Sequence, residues 1–386
     1  MANNLDAFSP EYWSARTQRL LKKKLIAREI ASMEEQATLR DGDMVHRPYY
    51  SDVVVNNYVK GTDVTVQDVT ATDEYLTVNK SKEATVYIDE IDVKQNKYDA
   101  ANKYIDRMTY ALKKDIDWAF LQEVLNAEYT MDDGDMGGTP GNPVTVSVAN
   151  AFKLFTLTEA KMNANDIEDT KPWFFVITPD VKANIQQTNL VNGFQQADAA
   201  LRGTLKGMGY LGTWGNFNIF VSNNVAHSNT VTMSSVAAAD TLTINGVTIT
   251  FAASPTNAGE CKATAAALIG MINGVMGTAG DYVEFSAADR AKLLAVNAKA
   301  VANGSDVDII TAGHVAYAQS GVTLTGEIAH CWAGQYGCSD MVIQKDVAVQ
   351  KNKEPKKTGY NYLCWTLYWI KTFTEGAKRC IDVLVA

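Results

Sequence analysis

Residues 61–128 read GTDVTVQDVTATDEYLTVNKSKEATVYIDEIDVKQNKYDAANKYIDRMTYALKKDIDWAFLQEVLNAE, and their hydrophobic period changes once along the way. In the first half apolar residues alternate: Val64 and Val66, Leu76 and Val78, then Ala84, Val86 and Ile88, with Thr and Asp among them. A period of two places these side chains on one strand face, which predicts a long hairpin between Asp52 and Ile91. From Asn96 to Glu128 the spacing turns helical, with Tyr98, Ala101, Ile105, Met108, Leu112, Ile116, Ala119 and Val124 recurring at threes and fours. Roughly 30 residues at ~1.5 Å each give a rod of about 45 Å, far beyond the ~11-residue mean helix. No helical stretch near the ribbon covers its apolar face, and an isolated two-stranded ribbon is marginal in water, so it is expected to lean on a neighbouring subunit.

The helix pattern stops in Asp132-Asp133-Gly134-Asp135-Met136-Gly137-Gly138-Thr139-Pro140-Gly141, a run of turn-forming residues that marks a boundary. Residues 144–224 then alternate helix and strand: a helix at Asn150–Ala164, a buried strand at Trp173–Ile177, a helix led by Pro179-Asp180, a glycine-dense loop from Gly203 to Gly215 and a strand at Phe217–Ser222. From Ser228 to Gly326 the composition shifts to Ala, Thr, Ser and Gly, which reads as an inserted domain. Within it Asn245-Gly246 suits a two-residue type I′ turn, and the implied register pairs Ile244 with Val247 and Leu242 with Ile249. Helices near Cys261–Met276 and Ser286–Ala302 and strands at Val307–Thr311 and Val322–Thr325 would complete a unit of about 100 residues, large enough to fold alone. The chain closes on aromatic strands through Tyr362, Cys364, Thr366, Tyr368 and Ile370, then Ile381–Val385.

Upstream, Ser9-Pro10-Glu11 is a helix start signal. Trp13, Leu20, Leu21, Leu25, Ile26, Ile30 and Met33 follow at helical spacing, with Arg16, Arg19, Lys22, Lys23, Lys24 and Arg28 crowding the rest. This is a basic amphipathic arm: a solvated helix face, or one that meets an acidic partner or DNA.

Composition excludes several classes. The 386 residues carry a net charge of -9, which argues against a surface that grips nucleic acid throughout. No apolar run approaches the ~20 residues of a membrane-spanning helix, and the polar opening lacks a signal-peptide pattern, so synthesis in the cytoplasm is expected. The five cysteines, Cys261, Cys331, Cys338, Cys364 and Cys380, hold no Cys-x-x-Cys pair and read as buried thiols. His330 beside Cys331 lacks the tight ligand pairs of a zinc site, so no metal is assigned. Gly207-Met-Gly209-Tyr-Leu-Gly212 matches a dinucleotide fingerprint but lacks the preceding strand and following helix that the chemistry needs. No nucleophile elbow, phosphate loop or zincin helix occurs, and His46, His227, His314 and His330 are scattered. Asp115 and Asp117 sit two apart on the helix and point in different directions, which disfavours a paired-carboxylate site. No catalytic residue and no cofactor are assigned.

The order of segments resembles the tailed-phage major capsid family with the Hong Kong 97 fold. The most specific stretch runs through Gly42-Asp-Met-Val45, Gly61-Thr-Asp-Val-Thr-Val66, Leu76-Thr-Val-Asn-Lys80 and Val86-Tyr-Ile-Asp-Glu90 into the helix bearing Asp115-Ile-Asp117. Val176-Ile-Thr-Pro179, and Gly203 to Gly215 leading to Ile219-Phe-Val-Ser-Asn223, resemble the axial lobe with its loop near the capsomer axis. The resemblance implies an α+β fold with an N-terminal arm (1–50), an extended β-hairpin loop (51–92), a long spine helix and peripheral domain (93–140), an α/β axial domain (141–227), an inserted α/β accessory domain (228–328) and a return to the axial and peripheral domains (329–386).

It further implies a subunit that self-assembles through hexamers and pentamers into an icosahedral virion shell around double-stranded DNA. A separate scaffolding protein and a portal would be its partners, and no membrane is involved. Val64, Val66, Leu76 and Val78 would contact the neighbouring subunit, and Gly203, Gly207, Gly209 and Gly212 would form the axial loop. Another phage structural or surface protein, such as a tail or decoration component, is the alternative. No local motif marks residues for a Lys to Asn isopeptide weld.

Overall fold

The computed structural model describes residues 25–36, 44–51, 53–64, 66–77, 80–95, 100–167, 170–192, 210–275, 280–355 and 357–386. Arg16, Arg19, Lys22, Lys23, Lys24, Val78, Gly203, Gly207 and Gly209 lie outside the described residues, as does the start signal at Ser9.

The spine helix spans Ala100–Leu121, 22 residues, and tightens into a 3₁₀ turn at Gln122–Asn126. Its C-terminal end comes just before the Glu128 that the sequence period suggests, because Ala127 turns to extended backbone at the point where Val124 enters the core. Met108 and Leu112 pack with Ile88, Tyr362 and Cys364 onto a three-stranded antiparallel sheet of Asp340–Lys353, Gly359–Lys371 and Lys80–Asp89. Further along the helix, Ile116, Ala119 and Phe120 join a core with Phe174, Trp332 and Tyr368. One helix therefore backs both the three-stranded sheet and the main sheet, as a helix with a wide apolar stripe can.

The main sheet is organised around Ile328–Gln335. One side pairs with Ala226–Thr232 through residues 328–330 and with Trp173–Ile177 through residues 332–335; the other pairs with Cys380–Val385. Trp173–Ile177 is buried at every residue and runs parallel to Phe217–Val221, with Ala151–Ala164 packing Leu154 and Phe155 into the core around it. A continuous apolar run is what a strand covered on both faces requires.

The glycine-dense segment is not loop to its end. Tyr210–Trp214 is a strand on Phe217–Val221, and Gly212 sits in it at a register shift with φ +148°. Gly212 is thus a bulge glycine of an edge strand, a corrected placement relative to the axial loop.

The stretch from Ser228 onward forms its own core from Val231, Leu242, Ile249, Phe251, Leu268, Met271 and Ile309. Its hairpin has the expected register, Val247 opposite Ile244 and Ile249 opposite Leu242, with Asn245 and Gly246 both at positive φ as a type I′ turn demands. The helices are Ala265–Asn273 and Ala287–Ala295. The helix expected to reach Ala302 stops early: Asn297 takes positive φ, and Lys299–Asn303 pairs as a strand with Asp306–Ala312. That strand pairs in turn with Ala226–Thr232, so the insert shares a continuous sheet with the rest of the chain.

Candidate functional site

The ribbon departs most from its sequence reading. Its strands are Met44–Tyr50 and Ala71–Thr77, and residues 53–70 between them form a long loop without strand pairing among its described residues. Ser51 N–H donates to Thr70 O at 3.0 Å and closes the neck. Inside the loop, the Gln67 carboxamide bonds both the N–H and the carbonyl of Val54. Beyond that stitch the loop is apolar and open: Val55 is 94% exposed, Val66 87% and Val64 73%, and Val53, Tyr58, Val59 and Val69 are likewise exposed. A cluster of exposed valines on one loop is unusual for a surface.

Leu76 is a correction. It is fully buried against Val342 and Phe373 of its own chain, with Val45, Leu367 and Trp369 packed around it. The face that seemed uncovered is covered by segments about 270 or more residues away, which strand periodicity does not reveal.

Polar contacts fix the root of the same ribbon. Arg47 pairs with Asp340 at 2.9 Å and lies over the Phe373 ring, Lys371 Nζ donates to Tyr75 O at 2.8 Å, and Lys378 Nζ donates to Tyr49 Oη at 2.8 Å. Glu74 accepts from the Thr374 N–H at 3.1 Å and from the Thr374 hydroxyl. Burial pushes the Asp340 carboxyl above its ordinary range, opposed by its bond to Ser32 and by the Arg47 charge. Around this pair Ser32, Glu34, Lys171, Glu375 and Arg379 line a cavity of about 40 Å³, room for ordered water.

Asp115 and Asp117 do point apart. Asp115 accepts from Tyr368 Oη at 2.7 Å, and burial raises that phenol's pKa. Asp117 is buried and takes the N–H groups of Ile26 and Ala27 at 2.7 and 2.9 Å, with Asn224 Nδ2 donating to its other oxygen at 2.8 Å.

Three of the four histidines, scattered in sequence, meet where the insert joins the main sheet. On one face His330 Nδ1 lies 2.7 Å from Asp382 Oδ2, and its Nε2 lies 2.8 Å from Ser228 Oγ, all three residues being buried. This has the connectivity of a serine-protease relay. Yet each residue sits inside the strand ladder of three neighbouring strands, with Ser228 backed by Ile310 and Ile328. The relay ties strands together. On the opposite face His227 and His314 both approach Glu327, the first at 3.0 Å. Neither cluster has a spacing signal in the sequence, because its members come from segments about 13 to 150 residues apart. Among the described residues no group of such side chains is arranged to hold a metal ion, and all five cysteines are buried free thiols.

No family model matches the chain, and no curated protein matches it. Its likeness to solved structures is extensive. A chain of Mycobacterium phage Che8 superposes with a TM-score of 0.58 at 12% identity, covering 99% of this chain and 98% of that one. A chain of the capsid of cyanophage P-SCSP1u gives 0.52 at 11% identity over 100% and 95%, and one of the capsid of Ralstonia phage GP4 gives 0.52 at 11% over 100% and 97%. Identities this low establish architecture, and the architecture spans both partners nearly end to end: the chain has the α+β fold of the subunits from which tailed-phage capsids are built, the Hong Kong 97 type.

Proposed function

We propose that this chain is the major capsid protein of a tailed bacteriophage, assembling through hexamers and pentamers into the icosahedral shell around double-stranded DNA. The observation that carries the reading is the pairing of a capsid-subunit fold over the whole chain with a projecting loop whose valines have no cover in their own subunit. Val64 and Val66 then act as the intersubunit clamp, Val78 extends it, and Leu76 anchors the ribbon from within. Residues 203–209 line the capsomer axis, and the basic arm through Arg16, Arg19, Lys22, Lys23 and Lys24 faces the scaffolding protein or DNA inside the shell, while Arg28 pairs with Asp346 of its own chain at 3.0 Å. Assembly takes place in the host cytoplasm with a scaffolding protein and a portal. The alternative, a tail or decoration component, finds no support in a fold shared end to end with capsid chains.

Electron cryomicroscopy of particles formed with the scaffolding protein tests the reading. Density for residues 53–70 is expected over the adjacent subunit. Shells in which that loop touches only its own subunit would count against it.

A further inference from the structure

The insert leaves and re-enters the main sheet at three points, and one ionisable side chain is placed at each. His227 lies on the outgoing strand Ala226–Thr232, His314 follows the strand Asp306–Ala312, and Glu327 immediately precedes Ile328–Gln335. These strands are neighbours: His227 is opposite Thr311 on one side and Ala329 on the other. At the turn, Gly313 takes positive φ and its N–H donates to Val225 O at 2.9 Å, which brings His314 back over the stem.

The geometry makes charge matter. His227 Nδ1 and Glu327 Oε1 lie 3.0 Å apart, close enough for an ion pair but out of line for a hydrogen bond, and both atoms are buried with no other partner. With a neutral imidazole this contact leaves two desolvated polar atoms uncompensated; with a protonated one, attraction in a poorly screened site offsets the loss. His314 Nδ1 reaches the second oxygen from the solvent side, its side chain 76% exposed, so protons have access. Among the described residues the other ionisable group facing the carboxylate is Tyr317, whose pKa burial raises. Asn229 and Thr311 face that phenol as neutral groups, and His330 with Asp382 forms its own pair on the opposite face.

We propose that His227, Glu327 and His314 form a proton-dependent clamp that stiffens the stem of the insert when the imidazoles are charged and loosens it when they are neutral. Burial, the largest influence on Glu327, pushes its pKa up, but the close approach of the two imidazoles holds it below the ordinary carboxylate range. The carboxylate therefore stays ionised, and its two contacts gain charge–charge attraction when the imidazoles carry a second proton. The clamp is strongest when both imidazoles are protonated and weakens as a rising pH removes those protons.

Hydrogen exchange by mass spectrometry on the full chain, at pH 6 and pH 8 and corrected for intrinsic rates, reads the clamp directly. Protection across 227–232, 306–312 and 323–328 is expected to fall about fivefold more than protection across 173–177, the scale of one charge-assisted contact over a neutral one. Glu327→Gln should abolish that difference. If Glu327→Gln does not fold, the double variant His227→Gln, His314→Gln decides, and it too is expected to respond equally in both regions. An equal fall in stem and core of the unaltered chain, or an unchanged differential in the variant, overturns the proposal.

Discussion

Asp117, deep on the spine helix, holds the backbone N–H groups of Ile26 and Ala27, about 90 residues upstream in sequence. One carboxylate thereby ties the described start of the chain to the rod that backs both sheets. Asp117→Ala should leave two buried amides without an acceptor and cost roughly 2–4 kcal/mol. Asp117→Asn, which keeps an acceptor oxygen, should cost less. Chemical denaturation of the two variants checks the order, and an alanine variant as stable as the parent would refute this role.

The ribbon separates two kinds of apolar residue. Leu76→Asp puts a charge into a sealed pocket between Val342 and Phe373 and should cost more than about 3 kcal/mol, whereas Val66→Asp on the open loop should change subunit stability by no more than about 0.5 kcal/mol. Thermal melting of both variants as subunits gives the comparison, and similar losses in the two would contradict the division.

Asp340 gives a pH dependence of definite sign. Its folded pKa is raised by burial above the ordinary value of 3.8, so the folded state binds this proton more tightly than the unfolded chain does. Its stabilising contribution is present below that ordinary value and is lost as pH rises through the folded pKa. Asp340→Asn should remove that part of the slope in a stability profile from pH 3 upward while weakening the Arg47 contact at the ribbon root. An unaltered slope would show that the carboxyl is not desolvated in solution.

Buried thiols offer clocks for the two cores. Burial pushes both Cys261, in the insert, and Cys331, in the main sheet, up to about 12, so neither should react with a disulfide reagent at pH 8 while folded. Because the insert core is separate and the smaller of the two regions, Cys261 is expected to become reactive at lower denaturant than Cys331. Simultaneous exposure would mean that the shared sheet makes them one cooperative unit.

What the sequence reveals follows the range of the interaction. The Asn245-Gly246 hairpin, the helix at Ala151–Ala164 and the buried strand Trp173–Ile177 are set by neighbours a few residues away, and all three are legible. Lys299–Asn303 reads as helix because Ala and Lys favour it, and only pairing with Asp306–Ala312 overrides that preference. The ribbon is misread for a similar reason. Its true partner strand, Met44–Tyr50, contains His46, Arg47 and Pro48, which break the alternation, and its cover comes from Val342 and Phe373. The histidine clusters and the Asp117 tie depend wholly on tertiary convergence, so spacing carries no trace of them.

The most direct test of the central claim, that this chain builds a closed shell through its exposed valine loop, is sedimentation with negative-stain microscopy of the chain produced with and without the scaffolding protein proposed for it. The unaltered chain is predicted to give closed isometric shells, and Val66→Asp soluble, folded subunits that do not close. A parent chain that stays monomeric under those conditions, or a Val66→Asp chain that forms shells at the same concentration, would contradict it.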